Sequence, residues 1–393
     1  MSITTAGRLA QARRVPGRAG AVTISAVVYS STIDTGITTL RGRIAWADGF
    51  RNRPILVMMH SYSGSNAEMG TLVVERFAKR GFFVLIPDLR GYGSSGGTVD
   101  MSAREMHDLW DMVQWARTNH GDKIDMRPGK GAMVGYSDGG CHTLCSLIKF
   151  PDLFSFYAPH FPITDYAIWH GETGALFKSY LETAVGGTPA AVPLAYAARS
   201  PRDAVPYVLR LGGNRRPGPV VWLTHDTADA TVVVAHSRDL VTAVGSVGDR
   251  LDYRETTTDR PLDQRANHGT PEPDSGFPAP GPLWLERKWV GRALDAEPWE
   301  MPPTGRVLVK GFLRSVGGWS VWLGPTSATN PRTEISSGKA EVALLDYSVP
   351  RTGTARFVLQ PQTGAMRVRV ENRAGVSTTA TIGAGTLATL EVT

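Results

Sequence analysis

Apolar positions along this chain follow two different rhythms. From about residue 21 to residue 298, short apolar runs alternate with stretches whose apolar positions recur every three or four residues, the pattern of a mostly parallel sheet covered by helices. Residues 22–30 and 37–46 read as an antiparallel opening pair, and 55–59 is wholly apolar, as expected for a strand buried on both faces. Asn66 is placed to cap a helix with Met69, Leu72, Val73 and Phe77 on one side and Gly81 at its end. Residues 82–86 form the next buried strand. Ser102-Ala103-Arg104-Glu105 has the spacing of a capping box, and Met106, Leu109, Trp110 and Val113 make the inner stripe of the helix it starts. An apolar run at 132–134 leads into Gly135-Tyr136-Ser137-Asp138-Gly139 with a helical segment behind it. Strands at 220–224 and 251–256 and a closing helix at 283–294 complete the unit.

Two segments break this rhythm. Residues 163–217 carry Tyr166, Trp169, Phe177, Tyr180, Tyr196 and Tyr207 among Gly, Pro and Ala, and read either as a cap-like insertion over the strand ends or as ordinary surface helices. After the Pro-rich boundary at 298–303, helical stripes vanish. Short strand-like runs follow at 306–312, 320–323, 340–347, 355–360, 366–371, 377–382 and 387–392, separated by Gly, Pro, Ser and Asn. That spacing predicts a small all-β sandwich over 304–393. Residues 1–21 read as an Arg-rich leader. The expected organisation is therefore an α/β unit over 22–298, with the insertion at 163–217, and a C-terminal β-sandwich.

Composition narrows the function classes. The 393 residues carry a formal charge of +6, but the Arg residues are scattered singly and form no basic stripe, so a nucleic-acid partner is not expected. No apolar run is long enough to span a bilayer and no signal peptide is visible, so no membrane partner is expected and the default location is cytoplasmic. The two cysteines, Cys141 and Cys145, lie four apart on one predicted helix face and read as core thiols. No metal site and no cofactor are expected.

The chemistry is carried by Gly135-Tyr136-Ser137-Asp138-Gly139, which matches the G-x-S-x-G nucleophile elbow. The serine must sit on a sharp strand-to-helix turn, so the positions two residues to either side must be small enough for the chain to pass closely. The turn exposes the hydroxyl and aims a helix N-terminus at developing negative charge. Ser137 follows an apolar strand and precedes a helical segment, which is the context the motif requires. A serine needs a base, and in this arrangement the order along the chain is Ser, acid, His. His268, in the loop after the last predicted strand, is the expected base; His225 and His236 lie upstream of that loop, and His142 and His160 lie too near the nucleophile in sequence. Asp226 and Asp229 compete for the acid, and Asp229 holds the D-x-x-V position after the strand. The oxyanion hole is expected from the amide of Asp138 and that of Tyr62, and the substrate pocket from His60, Tyr136, Tyr166 and Trp169.

The chain resembles α/β hydrolases of the prolyl oligopeptidase, X-prolyl dipeptidyl peptidase and dienelactone hydrolase types. The resemblance rests on Asp88-Leu-Arg-Gly-Tyr-Gly-Ser-Ser-Gly96, on Met133-Val-Gly-Tyr-Ser-Asp-Gly-Gly140, on residues 150–154 and 162–165, and on Ser200-Pro201 followed by the Asp229 strand. It implies acyl transfer to water through a Ser137–His268–Asp229 triad. The sequence departs from those families in having no propeller before the catalytic unit, no recognisable paired glutamates for a peptide amino terminus, and His60-Ser61 where His-Gly is usual. An ester, carried by a small molecule or a polymer, is therefore expected ahead of a peptide. A serine exopeptidase or oligopeptidase is the first alternative. The second is a glycan- or polymer-binding surface or virion protein bearing a deacylating unit, prompted by Trp319 and Trp322, which read as exposed residues of the β domain.

Overall fold

The computed structural model describes residues 20–62, 64–211, 218–256, 283–332 and 341–393. The first sheet contains β1 (Val22–Tyr29), β2 (Leu40–Ala47), β3 (Ile55–Met59), β4 (Phe83–Asp88), β5 (Gly131–Tyr136), β6 (Phe156–His160), β7 (Val220–Asp226) and β8 (Leu251–Thr256), in the order β1-β2-β4-β3-β5-β6-β7-β8. β1 and β2 enter antiparallel, and from β4 onward neighbouring strands are parallel. The helices are α1 (Thr71–Lys79), α2 (Arg104–His120), α3 (Asp138–Lys149), α4 (Tyr166–Glu172), α5 (Ala175–Val185), α6 (Pro193–Arg199), α7 (Val205–Leu209), α8 (Ala235–Val244) and α9 (Leu283–Asp295).

The uniformly apolar strands are explained by two cores, one on each face. Ile55, Val57 and Met59 face one core with Phe83, Leu85 and Met133, while Leu56 and Met58 face the other with Val84, Ile86 and Val134. The first core continues into α2, α3 and α8; the second is closed by α1 and α9. Each parallel strand therefore alternates between two dry faces rather than between core and water.

Several boundaries differ from the sequence reading. Asn66 opens a short 3₁₀ turn whose cap is Ser65, and α1 begins only after Gly70. The capping box is half realised: Glu105 Oε2 accepts from the Ser102 amide at 2.6 Å, but Asp100 Oδ2 accepts from the Arg104 amide at 3.0 Å in place of the Ser102 hydroxyl. Ser102 has φ 70°, and Ala103 separates it from the helix. β6 carries Pro159, a residue that argues against a central strand; pairing to β7 skips Ala158 and Pro159 and resumes at His160.

The C-terminal part holds β9 (Thr304–Lys310), β10 (Phe312–Arg314), β11 (Ser320–Gly324), β12 (Val342–Ser348), β13 (Ala355–Pro361), β14 (Met366–Glu371), β15 (Ser377–Ile382) and β16 (Ala388–Val392). All pair antiparallel in the order β15-β14-β11-β10-β9-β12-β13-β16, and the two edge strands come together as the sheet curls over its own core. Trp319 and Trp322 lie inside, 1% and 0% exposed, with Trp319 against Tyr347 and Phe357 and Trp322 stacked on Phe312. The exposed tryptophans that prompted the glycan-binding alternative are therefore core residues.

This β unit shares its core with the α/β unit. Phe150 at the end of α3 packs between Trp110 and Phe312, and Arg314 lies over the Trp110 ring at 4.4 Å. Buried polar groups lock the contact. Lys149 donates to the Lys310 carbonyl at 2.5 Å, and burial lowers its pKa to about 8. Lys310 donates to the carbonyls of Ala197 and Ser200, each at 2.6 Å, and pairs with Asp203. Asp152, fully buried, accepts from Ser315 Oγ at 2.6 Å, the Val316 amide at 2.9 Å and the Met301 amide at 3.2 Å.

Removing a carboxylate that satisfies three buried donors leaves those donors unpaired. Asp152→Ala is expected to lower the unfolding free energy in a urea titration by about 3 kcal/mol. Arg306→Ala, which breaks the exposed pair with Asp346, should leave the curve at its wild-type position. Equal curves for Asp152→Ala and wild type would remove the interface from this account.

Candidate active site

The elbow residues sit where the motif requires. Ser137 follows β5 directly, precedes α3 and has φ 56° and ψ −118°, a region that costs roughly 1–3 kcal/mol for a residue with a side chain. The surrounding backbone holds it there: the Ser137 amide donates to the His160 carbonyl at 3.0 Å, and its own carbonyl accepts from Cys141 at 3.1 Å. The flanking glycines are required by space. A Cβ at 135 would lie 2.1 Å from the Gly139 oxygen, and one at 139 would lie 2.6 Å from the His60 oxygen. The loop after β3 therefore passes directly against the elbow, which brings Tyr62 to this edge.

The acid candidates lie on the same edge, two strands away. His160 of β6 pairs with Tyr136 on one side and Thr224 on the other, so β5 and β7 end level with each other. Asp226 Oδ1 accepts from the Ala228 amide at 2.9 Å and its Oδ2 accepts from Thr256 Oγ1 at 3.1 Å. Asp229 Oδ1 accepts from the amides of Thr231 at 2.8 Å and Val232 at 3.0 Å, which fixes the carboxylate in its turn. His225 Nε2 is 3.5 Å from Asp229 Oδ2, but that ring already spans the Val232 carbonyl and Ser237 Oγ, both at 2.7 Å. His236 accepts from the Thr164 amide at 3.3 Å, and burial lowers its pKa to about 4. His268, the expected base, lies outside the described residues.

One helix joins the Ser137 turn to the Asp229 turn. Tyr166, the first residue of α4, donates its hydroxyl to Asp138 Oδ1, and Trp169 Nε1 donates to the Thr231 carbonyl at 3.1 Å. Tyr62, Trp169, Phe177 and Tyr180 form an aromatic wall beside this bridge, with ring centroids 4.4 Å apart for Tyr62–Tyr180 and 6.0 Å for Tyr62–Trp169.

Comparison with known proteins agrees with this fold. Residues 43–207 match the family model described as X-Pro dipeptidyl-peptidase (S15 family). The fold is also similar to that of a solved acylaminoacyl peptidase of Pyrococcus horikoshii, with TM-score 0.53 and 14% identity, covering 70% of this chain and 42% of that one. The fold and the family match support a serine hydrolase of the α/β-hydrolase type. Among curated proteins the hydrolase is 30% identical over 158 residues to the quorum-quenching protein AidA of Acinetobacter baumannii, covering 36% of this chain and 49% of that one. It is 25% identical over 162 residues to the uncharacterized peptidase YtmA of Bacillus subtilis, covering 41% of this chain and 58% of that one. The matches span about half the length of these curated relatives.

The expected pocket residues of the hydrolase divide. Tyr166 and Trp169 bridge the site as described. Tyr136 is fully buried in the second core, stacked on His160 with centroids 5.1 Å apart, because the strand alternation that sends Met133 toward α3 sends residue 136 to the opposite face. His60 accepts from the Leu89 amide at 3.2 Å and donates through Nδ1 to the Ser61 carbonyl at 2.9 Å; burial lowers its pKa to about 4. It braces the loop from inside as a neutral ring. Among the described residues no group of three or more His, Cys, Asp or Glu side chains is arranged to hold a metal ion, and no helix is long and apolar enough to cross a membrane.

The sequence reading missed a buried polar chain behind the elbow. His142 Nδ1 donates to the Asp138 carbonyl at 2.8 Å and Nε2 donates to Glu105 Oε2 at 3.0 Å. Burial alone would lower the His142 pKa, but the carboxylates of Asp138 and Glu105 outweigh it and raise the pKa to about 10. Glu105 carried a signal, its three-residue spacing from Ser102, but that signal pointed to a helix cap alone.

Because the atoms facing a Cβ at 139 are backbone atoms of the β3 loop, the clash cannot be relieved by a side-chain rotation. Gly139→Ala is expected to slow labelling of Ser137 by a fluorophosphonate about 100-fold, the scale of an ångström-sized misplacement at a reacting centre. Labelling at the wild-type rate would show that the close approach does not set the site.

Proposed function

We propose that the hydrolase cleaves a carboxylic ester through an acyl-enzyme. Ser137 attacks the carbonyl carbon, and His268 takes the serine proton and returns it to the leaving alcohol. Water, activated by the same imidazole, then releases the acid. Asp229 holds the His268 tautomer and stabilises the imidazolium. The amides of Asp138 and Tyr62 donate to the oxyanion. The observation that carries this reading is the strained Ser137 turn on the same sheet edge as the anchored carboxylate of Asp229. The half-buried rings of Tyr62, Phe177 and Tyr180, backed by the buried Trp169, offer an apolar acyl group a surface of matching character.

A peptidase reading has its own support: the matched family model is described as a dipeptidyl peptidase, and YtmA carries a peptidase name. A panel of p-nitrophenyl esters and X-prolyl p-nitroanilides separates the two. Higher kcat/KM on the esters supports the first reading, and higher kcat/KM on the anilides replaces it with the second.

Ser137→Ala is expected to abolish turnover of every substrate in the panel and to prevent fluorophosphonate labelling; retained turnover would refute the mechanism. Asp229→Ala should lower kcat by about 10⁴-fold, the scale seen when a triad acid is lost. Asp226→Ala should lower it far less, and the reverse order would assign the acid to Asp226.

A further inference from the structure

A fully buried ion pair is an unusual thing to find behind a nucleophile. Removing two charges from water costs several kcal/mol per ion unless geometry and hydrogen bonds recover it, and an apolar pair of the same volume is often as stable. Asp138 occupies the first turn of α3, where an acid gains about 0.3–1 kcal/mol from the helix dipole, too little to account for burying Glu105, His142 and Asp138 together. The Asp138 carboxylate also lies on the residue whose amide is proposed to bind the oxyanion. A negative charge there opposes the charge that develops in the transition state unless something cancels it.

The surroundings of Asp138 meet that requirement. Tyr166 donates to Oδ1, and His142 Nδ1 lies 3.6 Å from Oδ2 while bonding the Asp138 carbonyl. Both ring nitrogens of His142 face acceptors, so the ring is the imidazolium. Glu105, which orients it, is itself fixed by the Ser102 amide at 2.6 Å and the Asp100 amide at 3.0 Å. Those amides belong to a turn in which Met101 and Ser102 both have positive φ, 53° and 70°. Arg199, fully buried, donates to the Asp100 carbonyl at 2.7 Å and adds a second cation behind the pair.

We propose that Glu105, His142 and Tyr166 are positioning residues for acyl transfer, which hold Asp138 in place and cancel its charge so that its amide can bind the oxyanion. The inference rests on the proposed acyl-enzyme mechanism. It differs from a purely structural role in one respect: if the imidazolium is there to compensate Asp138, its loss should be repaired by also removing the Asp138 charge.

The test uses the full chain and the best p-nitrophenyl ester of the panel, reading kcat, KM and the thermal midpoint. His142→Gln is expected to lower kcat about 30-fold with KM within about 2-fold, a fraction of the 10²–10³ that follows loss of an oxyanion donor. Adding Asp138→Asn to His142→Gln should restore kcat at least about 5-fold, whether or not the thermal midpoint recovers. A single variant with unchanged kcat, or a double variant no faster than the single, overturns the inference. If His142→Gln does not fold, Tyr166→Phe and its Asp138→Asn double are read in the same way, with the same expected restoration and the same overturning result. An inactive wild type whose Ser137 resists fluorophosphonate refutes the acyl-enzyme reading and this inference together. An active wild type with an unaffected His142→Gln refutes this inference alone.

Discussion

The backbone crowding around Ser137 is the constraint on which the rest of the molecule is arranged. A serine at φ 56° and ψ −118° persists only where neighbours leave no alternative, and here the neighbours are main-chain atoms of β6, of the first turn of α3 and of the loop after β3. The carbonyl of His160 receives the Ser137 amide, the oxygen of Gly139 leaves no room for a side chain at 135, and the oxygen of His60 leaves none at 139. β3, β5 and β6 must therefore end in register, and that register demands strands buried on both faces, with a core on each side to press them together. Two cores and a parallel sheet are in this sense consequences of one turn.

The C-terminal β unit takes part in that pressure. Phe312 and Trp322 extend the α2–α3 core, and the polar anchors Lys149, Asp152 and Lys310 are buried at the seam with their hydrogen bonds made. Apolar contact alone would let the two units slide. A carboxylate that needs Ser315, Val316 and Met301 at once permits a single docking geometry. Because α3 runs from Ser137 at one end to Lys149 at the other, the seam fixes the helix whose N-terminus carries the Ser137 turn.

Legibility in the sequence followed periodicity. Continuous apolar runs gave β3, β4 and β5, and the shift to short alternating runs after residue 303 gave the β unit with seven of its strand regions near their observed places. β6 escaped because Pro159 and His160 spoil the run, and a proline in a central strand is tolerated only where the ladder skips it. The elbow was readable because its physics is local: five residues encode the turn. The placement of Tyr136 was also encoded, in the two-residue alternation counted from Met133, yet motif reading drew it toward the serine beside it. Trp319 and Trp322 looked exposed because alternation does not say which face of an isolated sheet is covered. The buried chain through Glu105, His142 and Tyr166 was beyond any local reading, since its members come from α2, α3 and α4 and meet only once the helices are packed.

That chain also explains why α4 stands where it does. Its first residue bonds the carboxylate beside the nucleophile, and its fourth bonds the turn that carries Asp229, so a single turn of helix spans the two halves of the site. Hydrogen bonds at both ends set the spacing between the Ser137 turn and the Asp229 turn more tightly than apolar packing would, because each has a narrow range of distance and angle. The aromatic wall then follows from the same placement: once Trp169 is tied to Thr231, its ring stands against Tyr62 and Phe177, so the bonds that hold α4 also place the wall. Under the proposed mechanism alignment and specificity thus share one element, and a change that loosens α4 alters both.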